Sequence, residues 1–386
     1  MDFRLDETQE AITRLAAEVL DGVAGEPDKS WTALAQAGLL TLAVPERLGG
    51  AGLGILETTL VLTEIGRRAI GVPALPHLTL GVLPVARWGT EKQQDELLTG
   101  RVLGAAVAEP GDPMPAAPRT AVAADGTVTG VKIGVAAADR LLVTVSGPAV
   151  AIVDPAAPGA TLTGGVLALD RVPAEMLGSP PGERLGSAAA AHAVAGRARG
   201  VECHAELLRL AIAGACALGD GALAGALDLT AEHVRTRQQF GRPLATFQAV
   251  AQQIADVYIT SRTLHLITVT AAWSLATGRP AGDDLDVAAQ WLTAEAPPAA
   301  RTCHHLHGGL GLSVDYPLHR HTGLIRDLVR FLGGGEHRLS ALADRVTAGG
   351  ARSSSGEPGR TAAGDARCGA GEPGRVLDGG AACSSS

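Results

Sequence analysis

The phrase Arg235-Thr-Arg237-Gln238-Gln239-Phe240-Gly241-Arg242-Pro243-Leu-Ala-Thr-Phe247-Gln248 constrains this chain more than any other. A long alanine- and leucine-rich segment of helical pattern ends at it, and another begins after it. The Gly241–Pro243 break therefore has to be a turn between two long helices. Three guanidinium groups, two aromatic rings and three glutamine amides crowd around that turn. Arginine forks suit phosphates, and aromatic faces suit a purine ring. A break between helices also lets backbone N–H groups and a helix N-terminus point at one anion. A solvated loop stapled by a phenylalanine uses the same residue types, so the make-up of the turn leaves both readings open.

The pattern around the turn divides the chain. Residues 1–103 read as a helical domain. Glu7–Leu20 repeats apolar residues at helical spacing through Ile12, Leu15, Ala16 and Val19; Trp31–Ala37, Glu57–Ala69, Leu78–Trp88 and Glu91–Leu98 follow. Residues 104–190 read as a β domain. Asp125-Gly126 between β-prone runs marks a hairpin, and Leu141–Val145, Val150–Val153 and Gly165–Leu169 read as buried strands. Residues 191–348 are helical again. Helices are expected at Glu206–His233, at Thr246–Leu275 with Thr246 as N-cap, and at Leu285–Leu306. A fourth starts at Asp315-Tyr316-Pro317 and stops at Gly333–Gly335, and a short last one covers Glu336–Val346. Long helices on short turns form a bundle. Residues 349–386 hold almost no large apolar side chain and read as a disordered tail. The fold class is mostly α with a central β domain. Gly219-Asp220-Gly221 mimics a dinucleotide fingerprint, but no strand precedes it, so it reads as close helix packing.

A formal charge of −8 argues against nucleic acid as a partner. The acidic start lacks an apolar signal core, and no stretch reads as long and apolar enough to span a bilayer. The five cysteines form no spaced framework, which suits a reduced, cytoplasmic protein. Cys303 lies close to His304, His305 and His307, but that spacing matches no zinc template.

The Arg235–Gln248 phrase resembles the R-x-Q-F-G-x-P-[IL]-x-x-F-Q signature of the acyl-CoA dehydrogenase family. Val44-Pro-Glu-Arg-Leu-Gly49-Gly50-Ala-Gly52-Leu53 resembles the family's V-P-E-x-x-G-G-x-G-L loop. Glu109-Pro110-Gly111-Asp112 resembles its T-E-P-x-x-G-S-D flavin loop, and His305 to Pro317 its Q-x-x-G-G-x-G-x-x-x-x-Y/F-P phrase. The ending Leu332-Gly-Gly-Gly-Glu336-His337-Arg338-Leu339 is similar to that of actinobacterial members. The resemblance covers residues 1–348. It implies an N-terminal helical domain, a small β-barrel-like domain and a C-terminal four-helix bundle. It also implies dimers or tetramers with FAD between subunits. Cofactor contacts are then implied at Arg237, Phe240, Gln248, His305, Gly308 and Gly309, with Arg237 and Phe240 reaching the neighbouring subunit's FAD. The glycine pair would let backbone approach a pyrophosphate. Arg209 could meet the CoA pyrophosphate, and it also fits as an ordinary helix-surface arginine.

Departures from the family pattern concern the flavin ring and the base. Ala108 stands where threonine or serine is usual, and Lys132-Ile133-Gly134-Val135-Ala136 lacks the tryptophan and threonine that wall the flavin. His305 replaces a glutamine. Members of the family remove the α-proton of an acyl-CoA while hydride leaves the β-carbon for flavin, which requires a carboxylate over the α-carbon. The usual glutamate would fall at Leu332 or Gly333, and the alternative place on the preceding long helix falls near Ala211. Neither place holds a carboxylate. Glu336 is the nearest candidate base, and it also fits as an ordinary first-turn glutamate. Three functions remain. One is an FAD-dependent dehydrogenase with a displaced base, acting on a lipid, sterol side-chain or polyketide-derived acyl thioester. Another is a non-catalytic subunit in a heteromer with a second acyl-CoA dehydrogenase-like chain. The last is a repurposed flavoenzyme of the same fold. The motifs name neither the acyl chain nor the electron acceptor.

Overall fold

Asp6 starts the first helix, α1 (Glu7–Asp21), because its carboxylate accepts from the Gln9 N–H at 2.8 Å while the Gln9 side chain accepts from the Asp6 N–H at 3.2 Å. The computed structural model describes residues 4–23, 26–179 and 190–354. Helices α2 (Pro27–Gln36) and α3 (Ile55–Arg67) follow, and Thr90 caps α5 (Glu91–Leu97) in the same reciprocal way as Asp6 caps α1. The helix expected at Leu78–Trp88 begins earlier, as a π-helical stretch Leu75–Val82, and continues as α4 (Leu83–Trp88). The Val44–Leu53 loop needs its glycine at position 50: an added Cβ would lie 2.1 Å from the Val44 carbonyl oxygen.

The middle of the chain forms β1 (Leu103–Ala106), β2 (Ala121–Val122), β3 (Thr127–Ile133), β4 (Arg140–Val145), β5 (Ala149–Val153), β6 (Ala160–Thr163) and β7 (Val166–Met176). The order is β1-β4-β5-β7-β3-β2, with β6 paired to β7. Among the described residues only β1 and β4 run parallel. The expected hairpin joins β2 to β3, where Asp125 accepts from both the N–H and the hydroxyl of Thr127. Strand β7 pairs with β5 near its end and with β3 and β6 along the rest, so the sheet curls around Leu141, Val143, Val153, Leu167 and Val172.

The C-terminal part is built on α6 (Ala190–Thr236), which a two-stranded turn, β8 (Gln238–Gln239) and β9 (Arg242–Pro243), joins to α7 (Gln248–Ala276). Then come α8 (Gly282–Ala294), α9 (Ala296–His307), α10 (Leu318–Phe331) and α11 (Gly334–Ser354). Helix α6 packs tightly on α3. An ideal Cβ on Gly221 would sit 1.9 Å from the Thr63 carbonyl oxygen, and one on Gly66 would sit 2.1 Å from that of Leu218. The Gly219-Asp220-Gly221 phrase therefore serves helix packing, as its lack of a preceding strand implied.

Several expectations need correction. Leu285–Leu306 is two helices, because Pro297 and Pro298 lack the N–H groups that would carry α8 onward and fit the first turn of α9 instead. Thr246 does not cap α7: Phe247 holds that place, and the Thr246 hydroxyl donates to the Pro243 carbonyl at 2.7 Å. Helix α10 begins after Pro317 rather than at Asp315. Helix α11 starts at Gly334 and passes the expected tail boundary at residue 349, with no proline to stop it before Pro358. The rest of that tail lies outside the described residues. One window within Ala198–Thr236 does meet the length and hydropathy of a membrane span. It is 89% buried inside the protein, as suits the core helix of an alanine-rich bundle.

Candidate functional site

Two segments form an outward face. At the end of α6, the β8–β9 turn presents Phe240, which is 92% exposed and held at a φ of 51°. The three arginines of this phrase have separate fates. Arg235 pairs with Glu232 at 3.0 Å, and Arg242 lies over the Phe247 ring at 4.1 Å. Arg237 is exposed and has no carboxylate partner among the described residues. Gln248, the first residue of α7, is exposed beside them. The second segment is the glycine turn after α9. Gly308 has a φ of 58°, and a Cβ added at Gly308 or Gly309 would meet nothing within 4 Å. Packing within the chain therefore does not account for Gly309. His305 is exposed on the last turn of α9. A ring stack joins the segments: His233 of α6 lies 4.5 Å from His307 at an interplanar angle of 17°. An unpartnered guanidinium, a bare aromatic ring and an open glycine turn suit the phosphates and purine of FAD.

The flavin-loop side is organised by a buried ion pair that the sequence reading passed over. Lys132 is fully buried, and its ammonium donates to Glu109 at 2.8 Å and to the Thr144 hydroxyl at 2.8 Å. Glu109 also accepts from the N–H groups of Arg119 and Thr120, each at 2.9 Å, and from the Thr120 hydroxyl at 2.7 Å. Burial alone would raise the Glu109 pKa, but the Lys132 bond and these N–H donors pull it down to about 2. The pair fixes the Glu109–Asp112 turn, and the Ile133 N–H donates to the Ala108 carbonyl. Next in line, Gly134 has a φ of 69° and nothing within 4 Å of an added Cβ. Open space stands where the resemblance implied a tryptophan wall.

The place of the usual base is closed. Leu332 is fully buried in the helical core, and its carbonyl accepts from Nε of buried Arg338 at 2.6 Å. Gly333 has a φ of 90°, and its added Cβ would lie 2.6 Å from Cγ of Pro113 and 2.7 Å from Cδ2 of His337. Burial, reinforced by Arg338, holds His337 below the usual imidazole range against the opposing pull of Asp112. Glu336 faces solvent and makes no hydrogen bond or ion pair among the described residues. Two carboxylates of α6 are engaged elsewhere: Glu206 accepts from Trp88 at 3.0 Å and pairs with Arg87 at 3.1 Å, and Asp220 meets His265 at 2.9 Å. Ala211 is fully buried among apolar side chains. Arg209 is half-buried on the same helix. Lys132 and Arg338 had weak signals, namely a lysine after a β-prone Gly-Val and an arginine after a glycine turn. The His233–His307 stack had none.

The acyl-CoA dehydrogenase N-terminal domain family matches residues 6–104, and the acyl-CoA dehydrogenase C-terminal domain family matches residues 183–346. The chain is 43% identical over 362 residues to acyl-CoA dehydrogenase FadE28 of Mycobacterium tuberculosis, covering 89% of this chain and 99% of that one. Among solved structures it is similar to a chain of the ChsE4–ChsE5 complex from Mycobacterium tuberculosis, with a TM-score of 0.77 and 29% identity over 90% of this chain and 99% of that one. It is likewise similar to a chain of the Tcur3481–Tcur3483 steroid ACAD G363A variant, with a TM-score of 0.76 and 32% identity over 89% and 99%. Motifs, architecture and relatives agree: this chain belongs to the acyl-CoA dehydrogenase family of FAD-dependent oxidoreductases.

Proposed function

We propose that this chain is the flavin-contact subunit of a heteromeric acyl-CoA dehydrogenase, and that a second chain of the same family supplies the carboxylate. The carrying observation is Gly333. Pro113 and His337 fill the space a side chain there would need, while the face at Arg237, Phe240 and Gly308–Gly309 stands open. Similarity to chains of the ChsE4–ChsE5 complex and of the Tcur3481–Tcur3483 steroid ACAD supports both the partner and a steroid-derived acyl thioester as substrate.

Each residue then has a task. Arg237 would hold a phosphate of FAD and Phe240 its purine. The Gly308–Gly309 backbone, His305 and Gln248 would hold the pyrophosphate. FAD, when bound, would supply the hydride-acceptor chemistry for the thioester's β-carbon. The α-proton goes to the second chain's carboxylate, so Glu336 stays a solvated first-turn glutamate. Arg209 retains a place as a contact for CoA phosphate. The cytoplasm suits this reading, since Cys203, Cys216 and Cys303 are free thiols.

The test is to purify the chain alone and with a co-expressed second acyl-CoA dehydrogenase-like chain, then measure flavin content and turnover of a steroid-derived acyl-CoA. Turnover is expected only from the pair, faster by about 10²–10⁴-fold, the usual contribution of a positioned base. Glu336→Gln should leave the pair's rate unchanged. Robust turnover by the isolated chain, lost in Glu336→Gln, would overturn the reading and make Glu336 the base.

A further inference from the structure

His233 lies one turn ahead of Arg237, whose N–H donates to the His233 carbonyl at 2.8 Å. His307 directly precedes Gly308. Their stacked rings are therefore the joint between the two segments assigned above to FAD. Neutral rings satisfy the joint as it stands. Nδ1 of His307 lies 2.8 Å from the Cys303 carbonyl and must donate to it. Nε2, 3.0 Å from the Tyr316 hydroxyl, is then left to accept. The Tyr316 ring closes the far side, its centroid 5.1 Å from that of His307. A proton on Nε2 would reverse the Tyr316 bond and set a charged ring face to face with His233, one turn from Arg237.

We propose that His233, His307 and Tyr316 are positioning residues forming a stacked joint that disfavours charged rings and holds the two FAD-contacting segments in register, so that flavin retention falls in mildly acidic solution. The inference rests on the assignment of those segments to FAD. The titratable and charged groups facing the joint come from several elements. Arg237 lies on α6 with His233, His304 lies on α9 with His307, and Tyr316 comes from the turn before α10. Behind His304 stand Arg326 and His319 of α10, and no group of α7 or α8 enters the balance of either ring. None of those named is a carboxylate that would favour a charged ring.

Burial lowers the His233 pKa most, with the charges of His307 and Arg237 adding to it. Burial also lowers that of His307, opposed by the Cys303 bond and assisted by His304. Both rings regain an ordinary value near 6.5 when the joint opens, so the open form binds more protons below that pH. The joint is at full strength above about pH 6.5 and weakens as the pH falls through the lowered values.

The experiment measures the FAD dissociation constant, by recovery of flavin fluorescence, for the flavin-loaded assembly in which the chain purifies. Wild type, His307→Phe and His233→Phe are compared at about pH 7.5 and about pH 5.5, either side of the imidazole range. Each phenylalanine keeps a ring in the stack and cannot titrate. Wild type is expected to lose affinity several-fold between the two, since the open form takes up protons that the closed joint resists. His307→Phe should bind more weakly at the higher pH, for want of the Tyr316 bond, with a fall of less than about twofold on acidification. His233→Phe, at a half-exposed ring, keeps the test alive where His307→Phe does not fold. A wild-type constant that is the same at both pH values overturns the inference, as does an undiminished acid loss in both variants. Either result leaves the FAD assignment standing. An assembly that binds no flavin at any pH overturns the assignment and the joint together.

Discussion

Gly309 and Gly333 both sit in glycine turns of family motifs, and their surroundings are opposite. A Cβ at Gly309 would meet nothing within 4 Å, whereas one at Gly333 would strike Pro113 and His337. One glycine leaves room for something the chain itself does not supply. The other is required by neighbours already in place. The outward turn stays open, and the inner turn is filled by the chain's own packing. A chain that lends contacts to a neighbour's flavin without supplying a base would carry this asymmetry.

The closure of the inner turn depends on the loop that carries Pro113, which the Glu109–Lys132 pair anchors. Lys132→Met should have the largest effect on stability, about 3 kcal/mol, because buried Glu109 would lose its buried cation and keep only the exposed Arg119 side chain, two N–H donors and the Thr120 hydroxyl. Urea denaturation measures it. The sign of the pH dependence follows from Glu109. Its pKa falls from 4.5 to about 2 on folding, so its contribution is complete above about 4.5 and is lost as the pH drops toward 2. Glu109→Gln should flatten the stability profile over that window. A small loss in Lys132→Met would mean that the loop is held by other contacts, and the contrast between the two turns would weaken.

Gly333→Glu asks whether the inner turn can be reopened. The added side chain meets Pro113 and His337 at the Cβ itself, on a backbone with a φ of 90°. Overpacking and the left-handed conformation together should cost about 2–3 kcal/mol. The carboxylate should therefore lower the melting temperature without giving the isolated chain acyl-CoA turnover. Activity gained at wild-type stability would show that the site is merely unfurnished. Arg237→Ala tests the opposite region. It should weaken FAD binding by about 1.5–3 kcal/mol, the worth of a hydrogen bond to a charged group, with an unchanged melting temperature in the flavin-free protein.

The two exposed turns were legible as turns because their motifs are continuous in the chain. Arg237, Phe240, Gly308 and Gly309 each stand in a phrase whose order carries meaning, and the missing carboxylate at Leu332–Gly333 could be read the same way. Element types were legible wherever a period or a turn pair was local, as at α1 and the Asp125-Gly126 hairpin. Helix ends were harder. Leu285–Leu306 kept its apolar period through Pro297-Pro298, and the period outweighed the prolines. What could not be read is what distance in the chain conceals. His233 and His307 meet only because α6 and α9 pack together, and Pro113 reaches Gly333 across two parts of the molecule. Periodicity records which face of an element is buried, but not which residue it is buried against.

Gly309→Ala is the smallest expected effect and the sharpest test of the contrast. Its φ lies outside the left-handed region, so alanine is allowed, and the methyl would meet no neighbour within 4 Å. The stability change should stay within about 0.5 kcal/mol, as for an ordinary surface substitution. The methyl would nonetheless stand where a pyrophosphate has to approach backbone, so flavin content should fall while the melting temperature of the flavin-free protein holds. Unfolding curves and visible absorbance on the same samples separate the two. A stability loss as large as that of Gly333→Glu would mean that both turns are packed for the chain's own sake. Unchanged stability together with unchanged flavin would mean that the open space at Gly309 is not where the cofactor lies.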